Sequence, residues 1–433
     1  MILFKNITVL DKYGEIAENQ FVTVKGSRIQ SVGSTRPEGT FEREYDGKGK
    51  LLMPAFYNAH AHSPMTLMRG YGENLSLNDW LTDRIFPFED QLDAGAVYWA
   101  TLLAMAESFR YGIASSTDMY YFADSIAKAA VDCGAKLNLS RALVSFDEEE
   151  DMWKTVRFLE AKDLYEEFNG IGDGRIRIEM SLHAEYTSTP KLVSQLAEYA
   201  RQIGAQVHVH VSETQAEVEA CKGRHEGRTP VRYLSDLGLF DTKTTAAHCV
   251  WVESEDIDIL SDKNVTVATC PVSNLKLASG VCNVPLLKEK GVAVAIGTDS
   301  AASNNGLNML SDIKFFALLN KERRADPTLV TPKEAIEAAT VIGAQAQGRT
   351  DCGRIAEGWR ADLIVMDIAG PHMTPVHDLY NNLVYSASGS DIVLTMVDGR
   401  IVYENGNYPT IDLERVKSEV ESAKNKILGA LNA

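Results

Sequence analysis

The chain has 433 residues, and its 60 aspartates and glutamates outnumber its 43 lysines and arginines, which gives a formal net charge of −17 at pH 7. This length exceeds what one ordinary domain needs and allows a large core. The acidic balance argues against nucleic acids and anionic membranes as partners, because both are negatively charged themselves.

The start of the chain and the cysteines both point to a reducing compartment. The apolar run over residues 1–7 is too short for a signal peptide and predicts a strand. No apolar run of the sequence is long enough to span a bilayer. The six cysteines are scattered and form no Cys-x-x-Cys pair, so we expect small buried side chains rather than disulfides or a thiolate metal site. We therefore predict a cytoplasmic protein.

The chain begins with short predicted strands over residues 2–10, 21–25 and 28–32, separated by turn residues. From Leu51 onward, short apolar runs alternate with segments of helical periodicity. The apolar runs cover residues 51–62, 113–120, 136–144, 176–183, 206–212, 244–250, 265–271 and 292–299. The helical segments between most of them cover residues 93–111, 125–133, 191–203, 230–237 and 253–261.

Eight such units predict an α/β protein with a (β/α)8 barrel of the TIM type. An open, doubly wound sheet is the alternative, but it would normally carry a glycine-rich phosphate loop after its first strand, and the sequence has no G-x-G-x-x-G.

The last part of the chain returns to strand-like character. Helical patterns over residues 307–320 and 332–347 are followed by predicted strands over 361–366, 392–397 and 400–403, and by a charged terminal helix over 413–431. Each strand-rich end is too small to form a core alone, so we predict that both ends pair into one small β-sandwich domain. The predicted division places residues 1–52 and 355–433 in that domain and residues 53–354 in the barrel.

Metal-ligand residue types end several of the predicted strands. His60 and His62 stand two residues apart, so their side chains leave the first strand on the same side. Other strand ends supply His183, His208, His210, Glu213, His248 and Asp299. Because active sites of such barrels lie at the C-terminal ends of the strands, we expect these side chains to meet. Imidazoles with a carboxylate and no thiolate suit zinc or a similar divalent ion, with Glu213 as the candidate acid–base carboxylate.

Six motifs then give a specific resemblance. They are PAFYNAHAH (54–62), MTLMRG (65–70), HVSET (210–214), AHCV (247–250), CPVSN (270–274) and GTDS (297–300). In this order they resemble the amidohydrolase superfamily, most closely its aminohydrolases with one metal, and within these the 5′-methylthioadenosine/S-adenosylhomocysteine deaminases. The resemblance covers essentially the whole chain and implies both the barrel and the split β domain.

The resemblance implies a role for each residue of the centre. The implied metal ligands are His60, His62, His210 and Asp299. His208 lies deeper on its strand and is expected to pack inside the barrel. No lysine follows the third or fourth run to bridge a second metal, so one divalent ion is expected, zinc first, with iron or nickel as alternatives. His248 with Asp299 would orient and deprotonate the attacking water, and Glu213 would carry a proton to the purine ring. A surface glutamate after a strand is the alternative for Glu213.

The resemblance also implies three substrate-binding residues. Glu89 matches a glutamate that accepts hydrogen bonds from both ribose hydroxyls, although acidic residues are also common at helix starts. His183 matches a histidine near the ribose or the 5′ substituent. Arg141 matches an arginine that approaches the 5′ end, and a salt bridge within the barrel is its alternative. A second arginine, expected for the carboxylate of S-adenosylhomocysteine, has no clear counterpart, and residues 147–151 are all acidic. Uncharged 5′ groups are therefore favoured.

The implied reaction is the hydrolytic deamination of an adenine nucleoside, such as 5′-methylthioadenosine, 5′-deoxyadenosine, adenosine or S-adenosylhomocysteine, to the inosine analogue and ammonia. The nearest alternative is the same fold and metal acting on guanine, cytosine, a pterin or a triazine, none of which needs Glu89 for a ribose. A cyclic-amide hydrolase would usually hold two metals, and a non-catalytic barrel would be expected to lack some of these residues. The expected partners are a small purine nucleoside and further copies of the chain, with no nucleic acid and no membrane.

Overall fold

The computed structural model describes residues 1–432, which alternate between strands and helices. The strands are β1 (Ile2–Leu10), β2 (Ile16–Lys25), β3 (Arg28–Gly33), β4 (Arg43–Asp46), β5 (Lys50–Pro54), β6 (Phe56–Ala61), β7 (Ile113–Met119), β8 (Lys136–Ser140), β9 (Ala142–Leu143), β10 (Ile176–Ile178), β11 (Met180–Ala184), β12 (Val207–Val211), β13 (Thr244–His248), β14 (Thr266–Thr269), β15 (Val294–Ile296), β16 (Leu363–Asp367), β17 (Ile392–Val397) and β18 (Arg400–Glu404).

The α-helices are α1 (Leu77–Trp80), α2 (Phe86–Glu89), α3 (Ala94–Arg110), α4 (Ala123–Cys133), α5 (Val156–Phe168), α6 (Ile171–Gly174), α7 (Pro190–Ile203), α8 (Gln215–Arg224), α9 (Pro230–Asp236), α10 (Ser254–Asp262), α11 (Pro271–Lys276), α12 (Val284–Glu289), α13 (Met309–Arg324), α14 (Pro332–Ala339), α15 (Val341–Ala346), α16 (Leu379–Tyr385) and α17 (Leu413–Leu431). None of the helices within residues 1–432 combines the length and apolar character that crossing a membrane requires.

Parallel strands from the middle of the chain close into a barrel, which confirms the predicted (β/α)8 fold. One sheet has the order β10-β8-β7-β6, and the other has the order β15-β14-β13-β12-β11-β9. β8 and β9 follow each other along one strand of the barrel, and β10 and β11 follow each other along the next strand. The first pieces of these two strands, β8 and β10, pair with each other, and so do the second pieces, β9 and β11. The ring closes where Ala61 at the end of β6 bridges to Asp299, just after β15.

The barrel strands are short and buried on both faces, because helices cover the outside and side chains fill the inside. All residues of β6, β7, β8 and β12 are buried, although polar residues such as Ser115, Thr117 and Asn138 are among them. Polar caps fix the starts of the following helices. The side chains of Asp93, Thr189 and Thr214 accept backbone N–H groups at the starts of α3, α7 and α8.

Strands from both chain ends form one further sheet, with the order β18-β17-β16-β5-β1-β2-β3 and with β4 paired to β1. The two ends meet where β5 runs antiparallel to β16. The sheet encloses its own apolar cluster, whose members include Phe4, Val22, Leu52, Val365 and Leu394. This confirms a small β domain built from both ends, with the two halves of the expected sandwich hydrogen-bonded into a single continuous sheet. The division at residues 52/53 and 354/355 stays a prediction.

A buried ion pair joins this sheet to the barrel. The ammonium of Lys136, at the start of β8, contacts the carboxylate of Asp362 and lies 2.7 Å from Oδ1 of Asp398. Asp362 directly precedes β16, and Asp398 lies in the turn between β17 and β18. Breaking such a buried pair would leave an uncompensated charge, so these contacts tie the two parts together.

Some element boundaries differ from the sequence predictions. β2 begins at Ile16, five residues before its predicted start at 21, and β4 was not predicted because Arg43–Asp46 is polar and largely exposed. The predicted helix over 332–347 is two helices, α14 and α15, because the backbone of Thr340 (φ −115°, ψ −91°) leaves the helical region. The terminal helix α17 spans residues 413–431 as predicted.

Candidate metal centre and active site

Side chains from four strand ends converge at the C-terminal rim of the barrel. Nε2 of His62 lies 3.4 Å from Oδ1 of Asp299 and 3.3 Å from Nε2 of His210. Nε2 of His60 lies 3.6 Å from the same Asp299 oxygen. The ligand atoms of His60, His210 and His248 also lie within 4.8 Å of one another. The fold thus brings together all the residues that the sequence predicts as metal ligands.

Strand register explains this convergence. His60 lies in β6 and His62 directly follows it, so the two side chains share one face. His210 in β12 pairs with Ala247, the neighbour of His248 in β13. His248 (φ 70°) and Asp299 (φ 59°) both adopt left-handed backbone conformations, which non-glycine residues rarely do. Strained backbone at two strand ends is typical of a functional site.

The Nδ1 atoms of His62 and His210 form hydrogen bonds away from the centre, so their Nε2 atoms can face a cation. Nδ1 of His62 donates to the carbonyl oxygen of Met119 at 2.7 Å, and Nδ1 of His210 donates to the carbonyl oxygen of His183 at 2.7 Å. A carbonyl only accepts, so the ring hydrogen sits on Nδ1 and the Nε2 lone pair faces the centre. Nε2 of His60 is buried and has no hydrogen-bond partner within residues 1–432.

Three inward-facing nitrogens and one carboxylate oxygen fit a divalent cation such as zinc. The unpartnered Nε2 of His60 supports this fit, because a buried polar atom without a partner is costly unless something binds it. The two serines Ser273 and Ser303 donate to Oδ2 of Asp299 at 2.5 and 3.0 Å, which leaves Oδ1 toward the imidazoles. Burial would raise the pKa of Asp299, but His62, His248 and the serine hydroxyls lower it overall, so the group is held as a carboxylate.

Glu213 and His248 stand beside this centre. Oε2 of Glu213 lies 3.8 Å from Nε2 of His248, and Ser279 Oγ donates to Oε1 of Glu213 at 3.3 Å. Burial raises the pKa of Glu213, and the charge of Asp299 adds to this shift. Burial lowers the pKa of His248, but the carboxylates of Glu213 and Asp299 outweigh it and raise the value overall. Opposed effects of burial and charge on neighbouring titratable groups are typical of functional sites.

The positions of both groups are fixed from behind. Nδ1 of His248 donates to Oδ1 of Asn274 at 2.9 Å, which leaves Nε2 toward the centre. The carboxylate of Glu217, in the first turn of α8, accepts the backbone N–H groups of Ser212 and Glu213 at 2.9 and 2.7 Å. These contacts make Glu213 a fixed residue of the rim, which excludes the alternative of a free surface glutamate.

A cavity opens above the centre and holds the remaining predicted residues. Its polar lining includes His62, Glu89, Arg141, His183, His210, Glu213, His248 and Asp299. Its apolar lining includes Met65, Leu77, Trp80, Leu81, Ile85, Phe86 and Leu277. His60 is fully buried below the cavity. An apolar pocket with a few convergent polar groups is the usual form of a small-molecule site.

Glu89 lies on one wall of the cavity, at the end of α2. The hydroxyl of Tyr120 donates to Oε1 of Glu89 at 2.6 Å, and burial raises the pKa of Glu89 to about 7. The long helix α3 begins later, at Ala94, and Asp93 is its N-cap. Glu89 therefore does not cap α3, but it lies in the first turn of the short helix α2, where an acidic residue is also favoured.

His183 and Arg141 line the same cavity. Nδ1 of His183 lies 3.1 Å from Oγ1 of Thr187, and burial lowers the pKa of His183 to about 4, which keeps the ring neutral. Arg141 lies over the ring of Tyr121, 5.1 Å from its centroid, and its Nε lies 2.8 Å from Oε2 of Glu160. Arg141 thus forms a salt bridge, which was the alternative role predicted for it, and it also lines the cavity.

The acidic stretch over 147–151 is partly neutralised. Arg157 at the start of α5 pairs with Glu150 at 3.1 Å, and Lys154 pairs with Asp151 at 3.1 Å. The expected repulsion of a carboxylate is therefore weaker than the bare sequence suggests.

Sequence reasoning missed several residues that support the site. Tyr120 ends the predicted run over 113–120, and an aromatic hydroxyl at a strand end was the available signal. Asn274 and Ser273 lie in the motif over 270–274, to which no role was given. Ser303 lies on the loop after β15, where no pattern marks it.

Comparisons with known proteins agree with this geometry. The model of the amidohydrolase family matches residues 51–402. A 5-methylthioadenosine/S-adenosylhomocysteine deaminase of Caldanaerobacter subterraneus subsp. tengcongensis is 39% identical over 434 residues, which cover 100% of both chains. A 5′-deoxyadenosine deaminase of Methanosarcina acetivorans is 39% identical over 438 residues, which cover 100% of this chain and 99% of the relative.

Among solved structures, an adenosine deaminase from Xanthomonas campestris with bound zinc superposes with a TM-score of 0.93 at 29% identity. The superposition covers 99% of this chain and 98% of that chain. The similarity therefore extends over the barrel and over the sheet formed by both chain ends.

Proposed function

The chain belongs to the amidohydrolase family, and from this membership we propose that it is a metal-dependent aminohydrolase that converts an adenine nucleoside and water to the inosine analogue and ammonia. Full-length relatives that carry deaminase names support this reaction. The observation that carries the nucleoside assignment is the position of Glu89, a partly buried carboxylate in the same cavity as the histidine centre.

One divalent ion, most simply zinc, would be held by His60, His62, His210 and Asp299, with iron and nickel as alternatives. The ion supplies Lewis acidity, which makes water a nucleophile at neutral pH. The zinc in the related adenosine deaminase structure and the free Nε2 of His60 support this assignment.

His248 and Asp299 would handle the proton of the attacking water. Asn274 fixes the His248 ring so that its Nε2 lone pair is available to take this proton. The carboxylates of Glu213 and Asp299 stabilise the resulting imidazolium, in line with the raised pKa of His248, which burial by itself would lower. Asp299, whose pKa is lowered overall, would act as a carboxylate that orients the water.

Glu213 would protonate the adenine ring nitrogen next to the carbon that water attacks. Burial raises its pKa, which favours the protonated form that this role requires. Water adds to C6 while His248 takes one of its protons and Glu213 gives a proton to the ring nitrogen. The amino group then takes the proton from His248 and leaves as ammonia, and the remaining C6 hydroxyl proton returns to Glu213 as the carbonyl forms.

Substrate recognition is proposed for Glu89, His183 and Arg141. Oε1 of Glu89 accepts the Tyr120 hydroxyl, so the lone pairs that remain on the carboxylate are free to accept the ribose hydroxyls. His183 and Arg141 lie on the wall that contains Tyr186 and Ala142, where we place the ribose and its 5′ substituent.

The decisive experiment is a screen of ammonia release with purified protein of known metal content. Adenosine, 5′-methylthioadenosine, 5′-deoxyadenosine and S-adenosylhomocysteine are compared with free adenine, guanine, cytosine, a pterin and a triazine. Turnover of nucleosides over free bases is expected, and preference for a free ring would favour the alternative of another heterocycle.

We further propose a cytoplasmic homo-oligomer with a nucleoside as its partner and no nucleic acid.

A further inference from the structure

His208 and Glu179 extend the contacts of His60 into the barrel interior. Nδ1 of His60 lies 2.8 Å from Nε2 of His208, and the two rings are nearly parallel, with 11° between their planes. Nδ1 of His208 in turn lies 3.9 Å from Oε2 of Glu179. The exposed fractions of His60, His208 and Glu179 are 0%, 0% and 3%. A carboxylate and two imidazoles thus form a line that ends at the metal centre.

The chemistry of His60 determines the direction of the hydrogen bonds along this line. When Nε2 of His60 keeps its lone pair for a cation, the ring hydrogen sits on Nδ1 and is donated to Nε2 of His208. His208 then accepts through Nε2, so its own ring hydrogen sits on Nδ1, the atom that faces Glu179.

Three polar atoms along this line have no hydrogen-bond partner in the part of the chain that the structure describes. They are Nε2 of His60, Nδ1 of His208 and Oε2 of Glu179. Buried polar atoms without partners are rare and costly. A cation satisfies the first atom, and the other two face each other across a gap slightly longer than a hydrogen bond.

Glu179 is held so that its second oxygen faces His208. Its Oε1 accepts from Nδ2 of Asn138 at 2.6 Å and from Nε2 of Gln206 at 3.2 Å. These two amides lie in β8 and directly before β12, on opposite sides of Glu179. The carboxylate is therefore fixed through one oxygen by the barrel, and the other oxygen is left for the imidazole line.

We propose that Glu179 and His208 are positioning residues that act on the bound cation through His60. His208 fixes the tautomer and the orientation of His60, and the Glu179 oxygen that faces Nδ1 of His208 polarises both imidazoles, which strengthens the binding of a cation at Nε2. This role presupposes the metal-dependent function proposed above. The competing explanation is that both residues only fill the interior of the barrel.

The test measures metal binding by the full-length protein in the absence of substrate. Glu179→Gln keeps the volume and the contacts of Oε1 but replaces the oxygen that faces His208 by an amide NH2 group, and His208→Gln removes the second imidazole. The dissociation constant for Zn²⁺ is measured by competition with a chromophoric chelator. An increase of about 10- to 100-fold is expected for each variant, as for other partners of metal-binding histidines. The absorption spectrum of Co²⁺-loaded protein is also expected to shift.

His225→Gln is the matched control. Nε2 of His225 lies 2.7 Å from Oε1 of the buried Glu185, so this variant also breaks a buried histidine–glutamate contact, but outside the centre. Its Zn²⁺ affinity and Co²⁺ spectrum are expected to equal those of the wild type, even where its melting temperature falls.

The outcomes separate the explanations. If folded Glu179→Gln binds Zn²⁺ with wild-type affinity and has an unchanged Co²⁺ spectrum, the proposal is overturned. Glu179 then only fills the interior of the barrel, whatever the result for His208→Gln. If the two variants bind metal more weakly but the wild type does not turn over nucleosides, the positioning role of Glu179 and His208 is supported and the deaminase function is refuted. A wild-type protein that takes up no divalent ion would overturn both.

Discussion

The backbone N–H of Asp299 donates to the carbonyl oxygen of His60 at 2.9 Å, where the last strand of the barrel meets the first. The same two residues face each other through their side chains, with 3.6 Å between Nε2 of His60 and Oδ1 of Asp299. Closing the barrel and assembling the centre are therefore one structural event. Residues almost 240 positions apart reach the same site because the first and last strands are neighbours.

Asp299→Asn is expected to weaken metal binding. The substitution removes the charge that the two serines hold in place, and a neutral amide is a poorer ligand for a divalent ion. Zn²⁺ content after dialysis and the Zn²⁺-dependent rise in melting temperature are the measurements. Ser303→Ala is the control, since it removes one hydrogen bond and keeps the carboxylate, and its loss should be smaller. Equal Zn²⁺ affinity in Asp299→Asn and wild type would remove Asp299 from the ligand set.

Glu213→Gln is expected to retain metal while kcat falls by about 10²- to 10⁴-fold, the usual contribution of a positioned acid or base. The amide cannot deliver a proton to the adenine ring, but it can still accept the Ser279 hydroxyl. Metal content and ammonia release are measured on the same sample. Ser279→Ala is the matched control and should lose much less activity. Turnover at the wild-type rate by Glu213→Gln would show that another group moves the proton.

Glu89→Ala is expected to raise KM for adenosine by at least about 10-fold, because hydrogen bonds to a charged acceptor contribute about 1.5–3 kcal/mol each. The value of kcat should change less, since Glu89 does not contact the reacting carbon in the proposed binding mode. The control uses the substrate: 2′,3′-dideoxyadenosine lacks the 2′ and 3′ hydroxyls that Glu89 would bind, so its KM should be the same for both proteins. Equal losses with both nucleosides would mean that Glu89 does not bind the diol.

The pKa of about 7 for Glu89, raised by burial, predicts a pH dependence of nucleoside binding. A raised carboxyl pKa means that the accepting, ionised form is lost as the pH falls through about 7 rather than through the ordinary value. We expect kcat/KM for adenosine to fall between about pH 8 and about pH 6, and Glu89→Gln to remove that limb.

Tyr120→Phe provides a check on the same prediction. The Tyr120 hydrogen bond opposes burial and lowers the pKa of Glu89. Its removal should therefore move the limb to higher pH and raise KM. A limb that stays at the same pH in both Tyr120→Phe and Glu89→Gln would have to come from another group.

The sequence was informative about the barrel because its strands are buried on both faces. The short apolar segments of the sequence overlap these strands, and His60, His62, His210, His248 and Asp299 lie at or near the ends of those segments. The interruption between β8 and β9, and the one between β10 and β11, could not be predicted, because hydrogen bonds change partner there without any change in composition.

Other features depend on contacts between distant parts of the chain. The hydrogen bond from Tyr120 to Glu89 joins a strand end to a short helix, and no local pattern indicates it. The pairing of Arg157 with Glu150 neutralises charge in a stretch that reads as purely acidic in the sequence. For the same reason, the line from His60 through His208 to Glu179 needed the register of β12 against β11 before it could be seen.

The ammonium of Lys136 lies inside the barrel, yet the carboxylates that compensate it come from Asp362 and Asp398 near the C-terminus. A chain cut at residue 354 would keep every ligand of the centre and would still contain a bare cation within its folded interior. The barrel is therefore not an independent folding unit. A design that uses this barrel in another protein would have to include the C-terminal segment as well.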